Sequence, residues 1–160
     1  MGMFLSKFVL KEKKEKVMEV SKINCIYYNY RVARGWSYNF EIRKEGSDYF
    51  LYAEFQDPEN SYESAILKWE GKEHEKIIKS FFDRIIEIIE NNNVLSWDGF
   101  DGYDPEAKDG WGFNLRIDFE NDVHLTAEGD NEFPLNYSEV KREFNALINE
   151  IVEIYQESRK

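Results

Sequence analysis

The 160 residues predict an α+β domain, an antiparallel sheet of about six strands with two helices packed on one face. Three observations carry that prediction. Apolar and polar residues alternate with period two in several separate stretches. The period changes to that of a helix twice, each time after a run of strands. Gly, Asn, Asp and Pro stand at the joints. Hydrophobic residues make up 42% of the chain and aromatics 16%, enough apolar volume for one core, which excludes disorder along the whole chain. The length suits one domain.

Residues 1–22 stand apart as a lysine-rich arm or short helix. They carry six lysines and three glutamates, so the arm is +3 and the remaining chain −14. Phe4, Leu5, Phe8, Val9, Val17 and Val20 fit one short amphipathic helix; the plainer reading is a terminal arm lying on an acidic body. Met3 to Leu10 is interrupted by Lys7 and runs into Lys11-Glu12-Lys13-Lys14-Glu15-Lys16, which is not a secretory signal. Met1-Gly2-Met3-Phe4-Leu5-Ser6 meets the loose myristoylation pattern. The preferred reading of Gly2 is an added residue ahead of a native start at Met3. The one cysteine, Cys25, cannot form an internal disulfide and agrees with a reducing, cytoplasmic location.

From residue 23 a single domain is expected. Ile23 to Val32, rich in Ile, Tyr and Val, reads as a strand. Trp36, Tyr38, Phe40 and Ile42 alternate with polar partners, Glu45-Gly46-Ser47-Asp48 turns the chain, and Tyr49, Leu51, Ala53 and Phe55 alternate again, predicting a hairpin. Asp57-Pro58-Glu59-Asn60 leads to another strand between Tyr62 and Glu70. Ile77, Ile78, Phe81, Phe82, Ile85, Ile86 and Ile89 then form one apolar helical arc opposite Lys79, Asp83, Glu87 and Glu90. Asn91-Asn92-Asn93 is its expected stop, since Asn tolerates the left-handed conformation.

Residues 95–110 read as irregular. After them Trp111, Phe113, Leu115, Ile117 and Phe119 give the cleanest alternation in the chain. Glu120-Asn121-Asp122 turns it, and Val123, Leu125, Ala127 and Gly129 return. The last helix is expected to begin near Asn136, with Glu139 completing a capping box, and to bury Val140, Phe144, Leu147, Ile148, Ile151 and Tyr155. Gly35 to Ile42 and Gly110 to Ile117 agree at four of eight positions at an offset of 75. That agreement predicts a tandem half-repeat of strands followed by a helix, residues 23–93 and 94–160.

Trp97-Asp98-Gly99-Phe100, Asp109-Gly110, the strand Trp111 to Ile117, Ala127-Glu128-Gly129, and Phe133-Pro134 with Tyr137 follow a recurring order. It resembles an uncharacterised protein family of clostridia and other Firmicutes, whose members show W-x-G-F, a polar loop, D-G-x-x-F-x-L, a hairpin and a C-terminal helix. The resemblance spans about residues 24–155 and implies a meander and helix in the first half. It implies no activity.

The formal charge is −11 and the sequence pI about 4.7, which argues against nucleic-acid or anionic-membrane binding. Residues 97–132 hold eleven acidic residues against Lys108 and Arg116. Trp97, Asp98, Asp101, Tyr103, Asp104 and Asp109 are accordingly the candidate partner- or ligand-binding residues. His74 and His124 fit neither zinc spacing nor a triad, and Cys25 reads as a small core residue. No catalytic residue, metal or cofactor is assigned. The expected function is a non-enzymatic intracellular interaction domain engaging a basic protein, with an immunity-type inhibitor as one concrete version. The alternatives are a small-ligand or Ca²⁺-binding module on the 97–110 loop and a carboxylate-based hydrolase. A monomer or weak homodimer is expected.

Overall fold

The computed structural model describes residues 16–106 and 110–160. Its strands are β1 (Ile23–Val32), β2 (Tyr38–Glu45), β3 (Asp48–Gln56), β4 (Ser64–Trp69), β5 (Asp101–Tyr103), β6 (Trp111–Phe119) and β7 (His124–Asp130). Two helices, α1 (Glu75–Asn91) and α2 (Tyr137–Ser158), complete the α+β fold. Of the N-terminal arm the described part holds a single 3₁₀ turn, Val20–Lys22; residues 1–15 and the short helix expected there lie outside the described residues.

The seven strands form one sheet in the order β4-β3-β2-β1-β6-β7-β5, with β1 at its centre. Every pairing is antiparallel except that of β5 with β7. The alternation on each strand sets the two faces. Ile26, Tyr28, Phe40, Ile42, Leu51, Phe55, Phe113, Leu115 and Ile117 point to one side and are buried. Both helices lie on that side. Phe144 of α2 packs against Tyr28 and Phe40, and Phe82 of α1 against Tyr49. The other face has no helix over it among the described residues.

Local chemistry places the joints as expected. Gly46 has φ 61° in the two-residue turn between Glu45 and Asp48, Asn93 has φ 52° after α1, and Asp122 has φ 58° in the β6–β7 turn. Two expectations are corrected. Asn136 caps α2 in the left-handed conformation (φ 67°) and its side chain makes no capping bond; an N-cap side chain reaches its amide from extended backbone, so no capping box forms. Glu139 binds Arg142 instead. The second concerns the strand β5 inside the segment read as irregular. Three residues are too short to show a period, and a partner 27 residues downstream holds them in place.

The two Gly-Trp strands also differ from a copied unit. β2 and β6 flank β1 on opposite sides, both antiparallel to it and both burying the same face. β3 then extends the sheet one way from β2, and β7 extends it the other way from β6. The hairpins are therefore of opposite hand, which neither a shift along the sheet nor a rotation onto the same face produces.

Three tyrosines make the centre of the core sensitive to alkali. Tyr28 and Tyr137 hydroxyls lie 2.8 Å apart, and Tyr38 donates to Asn145 Oδ1 at 2.6 Å. Burial, the largest cause, pushes all three phenols above their ordinary range. Below about pH 10 both folded and unfolded chains keep these protons and the contribution is complete. Above it the unfolded chain loses protons that the folded chain retains, so stability falls as pH rises, by at most about 1.4 kcal/mol per tyrosine at pH 11. Melting temperature measured from pH 8 to 11 should be level and then drop steeply. A level profile throughout would refute this.

Candidate functional site

Phe100 and the loop before it make one wall of a depression on the open face of the sheet. Gly99 takes φ 83°, open to glycine, and its N–H donates to Thr126 O at 2.9 Å. Asp98 Oδ1 accepts the Thr126 N–H at 3.2 Å, and Glu128 N–H donates to Phe100 O at 3.0 Å. These bonds zip residues 98–103 along the edge of β7 and set Asp101 directly opposite Glu128. The result is a groove of about 630 Å³ on the uncovered face, floored by Tyr27, Asn29, Asn114, Arg116 and Thr126.

Across the sheet, one register level joins all seven strands: Ile66, Glu54, Asn39, Asn29, Asn114, Glu128 and Asp101. A file of amides thus leads into a pair of carboxylates. Asn114 Nδ2 donates to Glu128 Oε2 at 3.0 Å, and Arg31 donates to Asn114 Oδ1 and, at 3.1 Å, to Asp130 Oδ1. Arg31 so neutralises Asp130 and fixes which way Asn114 points. Among the described residues Asp101 has no ion-pair partner. Like charges directly opposite on neighbouring strands cost stability. Their placement at the groove is what a positive group would relieve.

The six sequence-derived candidates separate. Asp101 and Tyr103 project from the open face, and Tyr103 is 66% exposed. Asp98 is committed to the Thr126 amide and to Lys16 Nζ at 3.0 Å, and Asp104 Oδ1 accepts the Glu106 N–H at 3.0 Å in a turn. Trp97 is only 2% exposed, its indole N–H donating to Leu135 O at 2.9 Å, so it plugs the core and offers no contact surface. Asp109 lies outside the described residues. Glu128, Asn29, Asn114 and Tyr27 were not singled out by sequence. For Asn29 and Asn114 the one signal was the recurrence of Asn at polar positions of three strands, and Glu128 was one of the eleven acids counted in residues 97–132.

Other reactive groups do not assemble. On the next level but one, Asp118 stands between Cys25 and His124, Oδ1 lying 2.7 Å from His124 Nδ1 and 2.9 Å from Arg116 Nε. Thiol and imidazole are thus two strands, roughly 10 Å, apart. Burial first, then Glu41 and Asp118, pushes the Cys25 thiol up to about 12, which keeps it protonated. His74 stacks on Trp69 at 5.5 Å. Among the described residues no three His, Cys, Asp or Glu side chains group to hold a metal ion, and no helix is long and apolar enough to cross a membrane. Comparison with protein-family models, curated proteins and solved structures finds no match.

Proposed function

We propose that the chain is a non-enzymatic cytoplasmic interaction domain that receives a basic protein segment in the open-face groove, at Asp101 and Glu128. The observation that carries the reading is that two like-charged residues, Asp101 and Glu128, share one register level and line the same polar groove, with an exposed Tyr103 on the same strand as Asp101. A lysine or arginine entering there gains two carboxylates and relieves their repulsion, while the Tyr27 ring supplies an adjacent aromatic surface. The overall charge of −11 steers such a partner toward the protein.

The double variant Asp101→Asn/Glu128→Gln tests this. In a pull-down at about 50 and 300 mM salt, wild type should capture a basic protein that the higher salt releases. The variant should capture it about tenfold less, with a melting temperature unchanged or slightly raised, because removing the repulsion costs the fold nothing. Unchanged capture, or a fall in melting temperature, would count against the groove. Asp98 is left intact because it holds the Thr126 amide.

One observation favours a second reading. A volume of about 630 Å³ is in the range of small-ligand sites, so a polar cationic metabolite is the alternative occupant. It predicts a thermal shift with small amines and no protein captured in either salt.

A further inference from the structure

The two edges of the sheet differ in what they leave unpaired. At β5, Glu128 N–H donates to Phe100 O and Asp104 N–H to Asp130 O, so Asp101 and Tyr103 turn their backbone groups outward. That edge is three residues long, and the Tyr103 N–H is already held by Glu132 Oε2 at 3.2 Å. β4 is the other edge, with six residues. Asp57 N–H donates to Glu63 O at 2.9 Å, which makes residues 57 and 63 a hydrogen-bonded pair. Alternation along the β3–β4 register then commits Ala65, Leu67 and Trp69 to β3. The N–H and C=O groups of Ser64, Ile66 and Lys68 point the other way. Among the described residues nothing bonds to them.

These three residues complement themselves. Antiparallel pairing with β4 of a second copy, centred on Ile66, sets Ser64 opposite Lys68 of the second copy, Ile66 opposite Ile66, and Lys68 opposite Ser64. Every outward N–H and C=O then finds a partner. Centring on Leu67 or Ala65 instead pushes one of the three past the end of the strand, onto Glu70 or Tyr62. Side chains agree with the Ile66 register. On the open face Ile66, 54% exposed, meets its own copy, and no like charges stand opposite each other. An edge lysine ordinarily discourages pairing, but here Lys68 faces a serine. On the covered face Leu67 meets Ala65, while α1 packs over β3 and β2. Glu63 and Glu70, which flank the strand, come to the same end of the pair and point to opposite faces. Glu54, beside Ile66 on its level, stays three strand intervals, roughly 14 Å, from Glu54 of the second copy.

We propose that a second copy of the chain occupies the β4 edge, giving a two-fold dimer whose sheet runs through both copies. The occupant is a copy because the pairing that satisfies the edge is symmetric about Ile66. Each copy carries −11, so charge opposes association at low salt and added salt strengthens it. A basic segment in the groove responds to salt in the opposite sense, and the dimer does not depend on that reading. β4 and the β6-β7-β5 groove lie at opposite ends of the sheet, so the dimer leaves both grooves open.

Sedimentation of the full chain at about 50 and 500 mM salt tests this. A dimer whose share grows with salt is the expected result, and a monomer at both salts overturns the proposal. Ile66→Pro removes an outward N–H without touching a bond to β3, a place where edge strands tolerate proline. It should keep the wild-type circular dichroism and sediment as a monomer. Ile66→Lys, which keeps the strand's backbone donors, sets like charges opposite each other at the axis and should also be monomeric. A dimer kept by both variants overturns the assignment to β4. Cysteines in a Cys25→Ser chain read the register. Oxidation should link Ile66→Cys to its own copy, because opposed Cα atoms of a hydrogen-bonded pair are about 5.5 Å apart. It should leave Lys68→Cys unlinked, its copy lying roughly 14 Å along the strand. Linking of Lys68→Cys and not of Ile66→Cys overturns the register. Octalysine, a basic probe of the groove, should bind wild type and Ile66→Pro alike. Loss of octalysine binding together with the dimer would mean a disturbed sheet and would overturn the edge assignment.

Discussion

Replacing Gly129 by alanine is expected to destabilise the protein by about 3 kcal/mol, the upper end of what overpacking costs, and to weaken binding at the groove with it. A Cβ at Gly129 meets Glu132 O at 2.2 Å and Phe113 Cε1 at 2.9 Å. The nearest obstacle is backbone, which no rotamer change removes. Gly102 lies directly across on β5, where a Cβ meets the same carbonyl at 2.8 Å. The two glycines together form a bare floor on which the Glu132 segment rests. Raising that segment disturbs the aromatic stack of Phe113, Phe133 and Tyr137 and the Tyr103 N–H bond to Glu132 Oε2. β5 then loses its support from below, and Asp101 loses its position opposite Glu128. Urea unfolding should show the loss as an earlier midpoint, about 6–12 °C by thermal melting for a chain of this size. Octalysine binding measured where the variant is still folded should fall as well. A variant as stable as wild type would mean that the Glu132 segment yields freely.

That coupling explains why the site was only partly legible in the sequence. The strands of the large meander declared themselves, because Phe40, Ile42, Leu51, Phe55, Phe113 and Ile117 each report a local period against one continuous core. β5 has no such period. Its existence depends on Gly99 taking a left-handed φ, on Asp98 capturing the Thr126 amide, and on Gly102 fitting under Glu132. Composition exposed the concentration of acids in residues 97–132 but not which of them converge. Asp98 and Asp104 turned out to bind backbone amides, and Asp101 acquired a partner, Glu128, from a strand read only as the return limb of a hairpin. Register across seven strands is a long-range property. The file of Asn39, Asn29 and Asn114 becomes visible only once β1 is known to lie between β2 and β6.

Trp97 separates a binding role from a packing role most sharply, and the expected result is a stability loss of about 3–5 kcal/mol for Trp97→Ala. The indole is 2% exposed, lies against Phe113 and Tyr137 at centroid distances of 6.0 and 5.9 Å, and uses its only donor on Leu135 O. Alanine leaves a cavity at the point where the 3₁₀ turn Val94–Trp97, β6 and the start of α2 meet. Trp97→Phe retains a ring and removes the N–H and part of the volume, so it should cost less, about 1–2 kcal/mol. The two variants should rank in that order by urea unfolding. Octalysine binding by Trp97→Phe, measured well below its melting temperature, should match wild type, because the side chain never reaches the groove. An indole that contacts the partner gives the reverse pattern, with stability retained and binding lost. That outcome would return Trp97 to the site and require the segment around it to open on binding.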